Sequence, residues 1–282
     1  MQVTAINDSE AQAREFMRVA GSRVLITGSG HGLGLAIADA FSKAGANVVI
    51  TDVDAERVKQ AVAKLRAASG YVLDVTNVEQ LAAVRSQLNI EHGPIDVLVN
   101  NAGVVFGGTF LDVPLAKHLT TVNVNLSGLL AVTHTFLPDL LARPSAHIVN
   151  IASASAVIAL PMGTTYAATK WAVLGFTESL QEELRLLGHT HLSATAICPS
   201  FITTGLFDGA KPVRHTRWLT AEEVAAAVVS AVEKRREFVM LPRSLRVLYG
   251  LSAGWPRRWY KWTCRRLGVA NSMTEWKGHA KE

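Results

Sequence analysis

The chain has only two cysteines in 282 residues, Cys198 and Cys264, and neither lies in a metal-ligand spacing, which suits a reducing compartment and argues for no metal. It also lacks any run of about 18 apolar residues free of charge, so no conventional membrane-spanning helix is expected. The opening residues, MQVTAINDSEAQAREF, carry acids and no apolar core segment, which excludes a secretory signal and predicts a cytoplasmic protein. No proline- or serine-rich linker and no internal repeat divides the sequence. With 49% hydrophobic residues the chain is not of the disordered class and is long enough to bury a full core. Acids are scarce at one end only. From Arg243 onward nine Lys/Arg stand against two acids, a net +7, so of the overall +5 residues 1–242 hold −2. An anionic partner therefore has to be sought at the tail and not on the body.

What is present is an alternation of short β-branched runs with helical periods. Strands are predicted at Arg23–Thr27, Asn47–Thr51, Tyr71–Leu73, Ile95–Val99, His147–Ile151, Leu192–Ile197 and Phe238–Leu241. Helices are predicted at Ser9–Val19, Leu33–Lys43, Ala55–Ala68, Val78–Ile90, Val122–Leu141, Thr164–Leu187 and Ala221–Arg235. Such alternation implies an α/β fold: one doubly wound Rossmann-type domain, a seven-stranded parallel sheet with helices on both faces. The expected divisions are an N-terminal extension at 1–20, a catalytic body at 21–242 and a basic, tryptophan-rich tail at 243–282.

In an open parallel sheet, ligands bind outside the carboxyl ends of the strands. The first strand runs into Gly28, Gly30, Gly32 and Gly34, which also enclose His31 and Leu33. Glycines there let the backbone approach a diphosphate at the start of a helix, where free N–H groups favour negative charge. The second strand ends at Asp52, whose carboxylate suits the ribose hydroxyls of NAD and repels the 2′-phosphate of NADP; the alternative is that Asp52, Asp54 and Glu56 merely cap and charge the start of the next helix. His31 could touch a phosphate or be an idle surface residue. Asp74 and Val75 follow the third strand, Asn100-Asn101-Ala102-Gly103 the fourth, Ser153 and Ser155 the fifth, and Pro199-Ser200-Phe201-Ile202-Thr203-Thr204 the sixth. Tyr166 and Lys170 lie four apart on a helix and so share one face, where a charged lysine favours the phenolate.

These motifs, in this order, make residues 21–240 resemble the classical short-chain dehydrogenase/reductase family. The resemblance rests on Thr27-Gly28 with Gly32 and Gly34, Asn100-Asn101-Ala102-Gly103, Asn125, Ser153, and Tyr166 with Lys170, thirteen residues beyond Ser153. It implies an NAD-dependent oxidoreductase with Tyr166 as proton donor and acceptor. Lys170 would depress the Tyr166 pKa and hold the nicotinamide ribose, Ser153 would orient the substrate oxygen, and Asn125 would support a water linking Lys170 to solvent. Asp74 is expected beside the adenine and Thr204 beside the carboxamide, with Asn101, Ala102, Gly103, Pro199 and Ile202 around the cofactor. Ser155 rivals Ser153, and Asn123, expected to cap a helix, rivals Asn125. Ser200 replaces the family's usual glycine after Pro199, which puts the local backbone in question.

The pocket walls are expected from Val104–Phe106, Ala156–Met162 and Ser200–Phe207, with Phe201 and Ser155 against substrate. These stretches are almost wholly apolar and suit a steroid-, retinoid- or lipid-like alcohol or ketone. Lys211, Arg214, His215 and Arg217 follow and could meet a carboxylate or a coenzyme A phosphate, or form a solvated loop. In the tail, Leu248, Leu251, Trp255, Trp259 and Trp262 project as one stripe with Arg246, Arg257, Arg258, Lys261 and Arg265 opposite, broken at Gly254–Pro256. Two readings stand for it: a helix lying in an anionic membrane interface, peripheral to the bilayer, or a tryptophan face packed on the body or on a partner subunit of a homo-oligomer, dimer or tetramer. No nucleic-acid recognition motif accompanies the charge, so no nucleic acid is expected. The competing functions are an NADP-dependent carbonyl reductase and a catalytically idle nucleotide-binding scaffold or sensor.

Overall fold

The computed structural model describes residues 16–65, 69–212 and 216–277. Seven strands form one sheet: β1 (Arg23–Thr27), β2 (Asn47–Asp52), β3 (Ser69–Val72), β4 (Val97–Asn100), β5 (Ala146–Ile151), β6 (Leu192–Pro199) and β7 (Phe238–Leu241). Their spatial order is β3-β2-β1-β4-β5-β6-β7 and every pair is parallel. Each strand is fed by a crossover helix, and the helices cover both faces: α1 (Gly32–Lys43), α2 (Ala55–Leu65), α3 (Val78–Glu91), α4 (Leu115–Val122), α5 (Leu129–Leu141), α6 (Thr164–Leu186) and α7 (Ala221–Glu233). Strands buried on both faces read as continuous apolar runs, which is why β1, β4 and β5 show no alternation.

The order reverses between β1 and β4, so a crevice opens there at the carboxyl edge. Two layers of core flank it. One holds Ile26, Ile37, Phe41 and Val228 between β1, α1 and α7; the other holds Leu98, Phe136, Ile148 and Leu184 on the opposite face.

Several boundaries differ from the sequence reading. The expected helix at Ser9–Val19 falls partly outside the described residues, and residues 16–19 are not helical. Met17 and Val19, assigned to an extension, are buried in the core beside α7, with the Met17 N–H donating to Glu233 O at 2.9 Å. The helix expected from Val122 begins at Leu115 and runs through a π-helical turn, Asn123–Gly128, into α5. Asn123 is therefore inside a continuous helix and caps nothing. Ser200 keeps an ordinary backbone conformation and donates its N–H to Leu241 O at 2.8 Å, so the family's glycine is not needed there.

Beyond β7 come two helices, α8 (Leu245–Gly254) and α9 (Arg257–Arg266), meeting at Pro256, and then a short turn at Val269–Asn271. The tryptophan stripe does not pack on the body. Trp255, Trp259 and Trp262 are 42%, 55% and 57% exposed. The inward face of α9 is made instead by Tyr260 and Cys264, continued by Leu267, at helical spacing, and the Tyr260 hydroxyl donates to Val157 O at 3.2 Å.

Candidate active site

A cavity of about 980 Å³ runs along the carboxyl ends of β1, β2, β4, β5 and β6. Of the site residues singled out in the sequence, Gly28, His31, Gly32, Leu33, Gly34, Asp52, Asp74, Val75, Asn101, Ala102, Gly103, Ser153, Ser155, Tyr166, Lys170, Pro199, Phe201, Ile202 and Thr204 line it. Gly30 and Asn125 are buried behind its wall.

The glycine turn has steric reasons for its composition. A Cβ on Gly34 would come within 2.2 Å of Gly28 O and 2.6 Å of Asn101 Nδ2, and Gly28 itself has φ +60° against Ala102. The turn is tied to the next strand end: Thr27 Oγ1 accepts from the N–H groups of Asn101 at 3.0 Å and Ala102 at 3.1 Å. Asn101 Nδ2 donates in return to Thr27 O and Gly28 O, both at 2.9 Å. The first turn of α1 then presents its N–H groups to the cavity, a cradle for a diphosphate.

Asp52 is 4% exposed. Its carboxylate accepts from Gly30 N–H at 3.1 Å and Asp54 N–H at 3.2 Å, and His31 Nδ1 stands 3.6 Å away. Burial pushes its pKa up, but His31 and the two amides outweigh that and hold it below the ordinary carboxylate value. Arg57, missed in the sequence among first-turn acids, lines the same end of the cavity, 3.4 Å from His31 Nδ1. Asp74 is held by Thr76, whose N–H and hydroxyl donate to Oδ1 at 2.9 and 2.7 Å.

At the other end Ser153, Tyr166 and Lys170 converge from β5 and α6. The Ser153 hydroxyl accepts from Ser155 N–H at 3.1 Å. Lys170 Nζ donates to Ile151 O at 2.8 Å and lies 5.5 Å from the Tyr166 ring centroid. The expected depression of the phenol does not follow from this geometry. Burial drives Tyr166 up to about 12, with Ser153 pulling the other way, and burial drives Lys170 down to about 8. Both groups resist charge because both are desolvated.

Asn125 does not reach the cavity. Its Oδ1 accepts from Val104 N–H at 2.8 Å, and Nδ2 donates to Val104 O at 2.9 Å and Thr169 Oγ1 at 3.2 Å. These bonds clamp the segment after β4 to α6, while Asn123 lines the cavity. Ser155 lines the cavity, but its hydroxyl oxygen is itself buried and has no partner among the described residues.

The substrate end is walled by Val104, Ile158, Leu160, Phe201, Leu206 and Phe207, as the apolar stretches suggested. Val105 is instead fully buried beneath Tyr166 and Phe207. Leu245, Val269 and Ser272 complete the wall, and Met273 and Trp276 pack into the aromatic cluster behind it. These tail residues carry no periodic signal that marks them as pocket lining. Lys211 and Arg217 face away from the cavity, ion-paired with Glu275 and Glu223; Arg214 and His215 lie outside the described residues. Among the described residues no cluster of His, Cys, Asp or Glu could hold a metal ion.

Comparison with known proteins agrees with this arrangement. The family model for short chain dehydrogenases matches residues 22–214. Human 17-beta-hydroxysteroid dehydrogenase 13 is 30% identical over 244 residues, 85% of this chain and 81% of its own. Mouse estradiol 17-beta-dehydrogenase 11 is 30% identical over 255 residues, 89% of this chain and 85% of its own. Among solved structures, a short chain dehydrogenase/reductase from Burkholderia phymatum in complex with NAD superposes with a TM-score of 0.77 at 28% identity, over 84% of this chain and 95% of that one. With the sheet order, the glycine turn and the Ser153–Tyr166–Lys170 group all in place, the chain belongs to the classical short-chain dehydrogenase/reductase family of oxidoreductases.

Proposed function

We propose that the protein is an NAD-dependent dehydrogenase acting on a bulky apolar secondary alcohol or the matching ketone, of steroid, retinoid or lipid type. The observation that carries this reading is one continuous cavity with a polar dinucleotide cradle at one end, Tyr166 and Ser153 between, and an apolar wall at the other. The names of the hydroxysteroid dehydrogenase relatives support the same substrate class.

The residues present fit a nicotinamide dinucleotide. The turn from Gly28 to Gly34 would take the diphosphate, Asp52 the adenosine ribose hydroxyls, Asp74 and Val75 the adenine side. Asn101–Gly103, Lys170, Pro199, Ile202 and Thr204 would surround the nicotinamide half. When bound, the nicotinamide supplies or accepts a hydride. Tyr166 gives its proton to the ketone oxygen as charge develops there and takes it back in the reverse reaction. Ser153, beside Tyr166 in the cavity wall, holds that same oxygen. Lys170 supplies positive charge in a dry site. The Tyr166→Phe protein is expected to lose at least about 99% of turnover, in line with removal of a general acid, while NADH still binds, as read by nicotinamide fluorescence. Retention of more than about a tenth of normal turnover would sink the assignment.

Arg57 favours a second reading, an NADP-dependent carbonyl reductase, because a guanidinium at the adenosine end could meet a 2′-phosphate. Asp52 opposes it. Isothermal titration should give tighter binding of NADH than NADPH, and Asp52→Ala should narrow the gap by about tenfold or more, the loss expected when a buried charge repulsion is removed. Tighter NADPH binding by the unaltered protein would establish the second reading.

We also propose a homo-oligomer. Leu115 and Leu119 on α4, Leu130 on α5 and Trp171 on α6 stand exposed at 70%, 54%, 40% and 50%, an unusual apolar display for helices flanking an active site.

A further inference from the structure

The tail faces two ways at once. Inward, Leu245 at the head of α8 and Val269 and Ser272 beyond α9 line the substrate end of the cavity. Met273 is 2% exposed, and Trp276 lies over Gly107, where an added Cβ would come within 2.6 Å of its ring. The Trp276 Nε1–H donates to Leu206 O at 3.2 Å, and Leu206 is itself a wall residue. The tail is therefore part of the catalytic body and not an appendage to it.

Outward, Trp259 and Trp262 stand on the side of α9 away from Tyr260 and Cys264, Trp255 is exposed just before Pro256, and Val247 of α8 is 67% exposed. Arg258, Lys261, Arg265 and Arg266 are exposed on the same outer half. No acid occurs between Arg243 and Thr274. Among the described residues none of these four cations is ion-paired to an acid, and Arg266 lies over the Trp262 ring at 5.3 Å. A solvated helix has no need of two exposed indoles on ten residues, with a third just before it. An indole is amphipathic and settles at the headgroup level of a bilayer, where neighbouring cations meet anionic phosphates. A second copy of this chain would bring a like-charged face, net +7 against net +7, so the charge selects an anionic surface.

We propose that α8 and α9 form a docking surface for an anionic lipid bilayer. Resting on the substrate reading above, docking holds the Leu245–Val269–Ser272 wall of the cavity next to the lipid, so that an apolar alcohol passes from bilayer to active site without crossing water. No helix among the described residues is long and apolar enough to cross a membrane, so the contact is peripheral.

The test is flotation of the full chain with phosphatidylcholine vesicles, with and without phosphatidylglycerol. The expected result is binding to the anionic vesicles only, weakened by high salt. Arg258→Glu/Lys261→Glu/Arg265→Glu should lower the partition coefficient by well over tenfold, since each basic residue at such a surface contributes roughly fivefold. Trp259→Ser/Trp262→Ser should also lower it, with NADH binding and thermal midpoint kept in both proteins. Turnover of a long-chain alcohol carried in anionic vesicles should fall in both variants, while turnover of a short water-soluble alcohol stays unchanged. Absence of flotation, or equal flotation of the variants, overturns the proposal. So does a dimer that vanishes in the tryptophan variant without any vesicle binding. Flotation with no turnover of any apolar alcohol overturns the substrate reading and leaves the docking surface standing.

Discussion

Tyr166 and Lys170 are four residues apart on α6, and the first consequence of that spacing is shared burial and not shared charge. The phenol is pushed up to about 12 and the ammonium down to about 8, each chiefly by desolvation. A group whose pKa is raised keeps its proton at neutral pH, so Tyr166 stands ready as the acid for ketone reduction and must lose a proton before it can act as the base. Alcohol oxidation should accordingly rise with pH through neutrality, approaching tenfold per unit, and rise less steeply above about pH 8 as Lys170 loses the charge that supports the phenolate, while ketone reduction holds level through neutrality. Initial rates in both directions over that range check this. An oxidation rate already on its plateau at neutral pH would mean that the phenol ionises far more easily than its burial allows. The pair was legible in the sequence from spacing alone; its electrostatics were not, because desolvation depends on what α6 is packed against.

The long helix through α4, the π turn and α5 shows where local pattern fails. Its first two turns bury only Thr121, while Leu115 and Leu119, spaced as one helical stripe, face outward, so that stripe does not pack on the core as the rest of the helix does. The extra residue of the π turn rotates Asn125 away from the cavity and into the gap between Val104 and Thr169. Asn125→Ala would leave Val104 N–H and C=O without their side-chain partners, a cost on the order of 2 kcal/mol for two half-buried groups. Thermal denaturation should report that loss, and kcat should fall while NADH affinity changes little, because Val104 borders the substrate end. Unchanged stability would show that the clamp carries no energy. The seven strands, by contrast, were readable because strands buried on both faces leave continuous apolar runs. The tail misled in the opposite direction: its tryptophans repeat as a buried stripe would, yet the inward contacts come from Tyr260, Cys264 and the aperiodic residues 267–276.

At the scale of the molecule, two exposed apolar surfaces remain, and they differ in charge. The face bearing Leu115, Leu119, Leu130 and Trp171 carries an overall acidic body behind it, whereas the tail is strongly basic. The first is suited to a symmetric partner, the second to an anionic surface. Analytical ultracentrifugation of the full chain should give a dimer or tetramer, and Leu115→Glu/Leu119→Glu should shift it to monomer by placing like charges in the contact. A monomer from the unaltered chain at micromolar concentration would remove the assignment. The sheet that holds both surfaces is parallel throughout, and its crevice between β1 and β4 is closed at the root by the reciprocal Thr27–Asn101 hydrogen bonds. Those bonds are made within the protein, between the end of β1 and the segment after β4. A cleft root fixed by the chain's own hydrogen bonds lowers the ordering cost that association with a dinucleotide would otherwise carry.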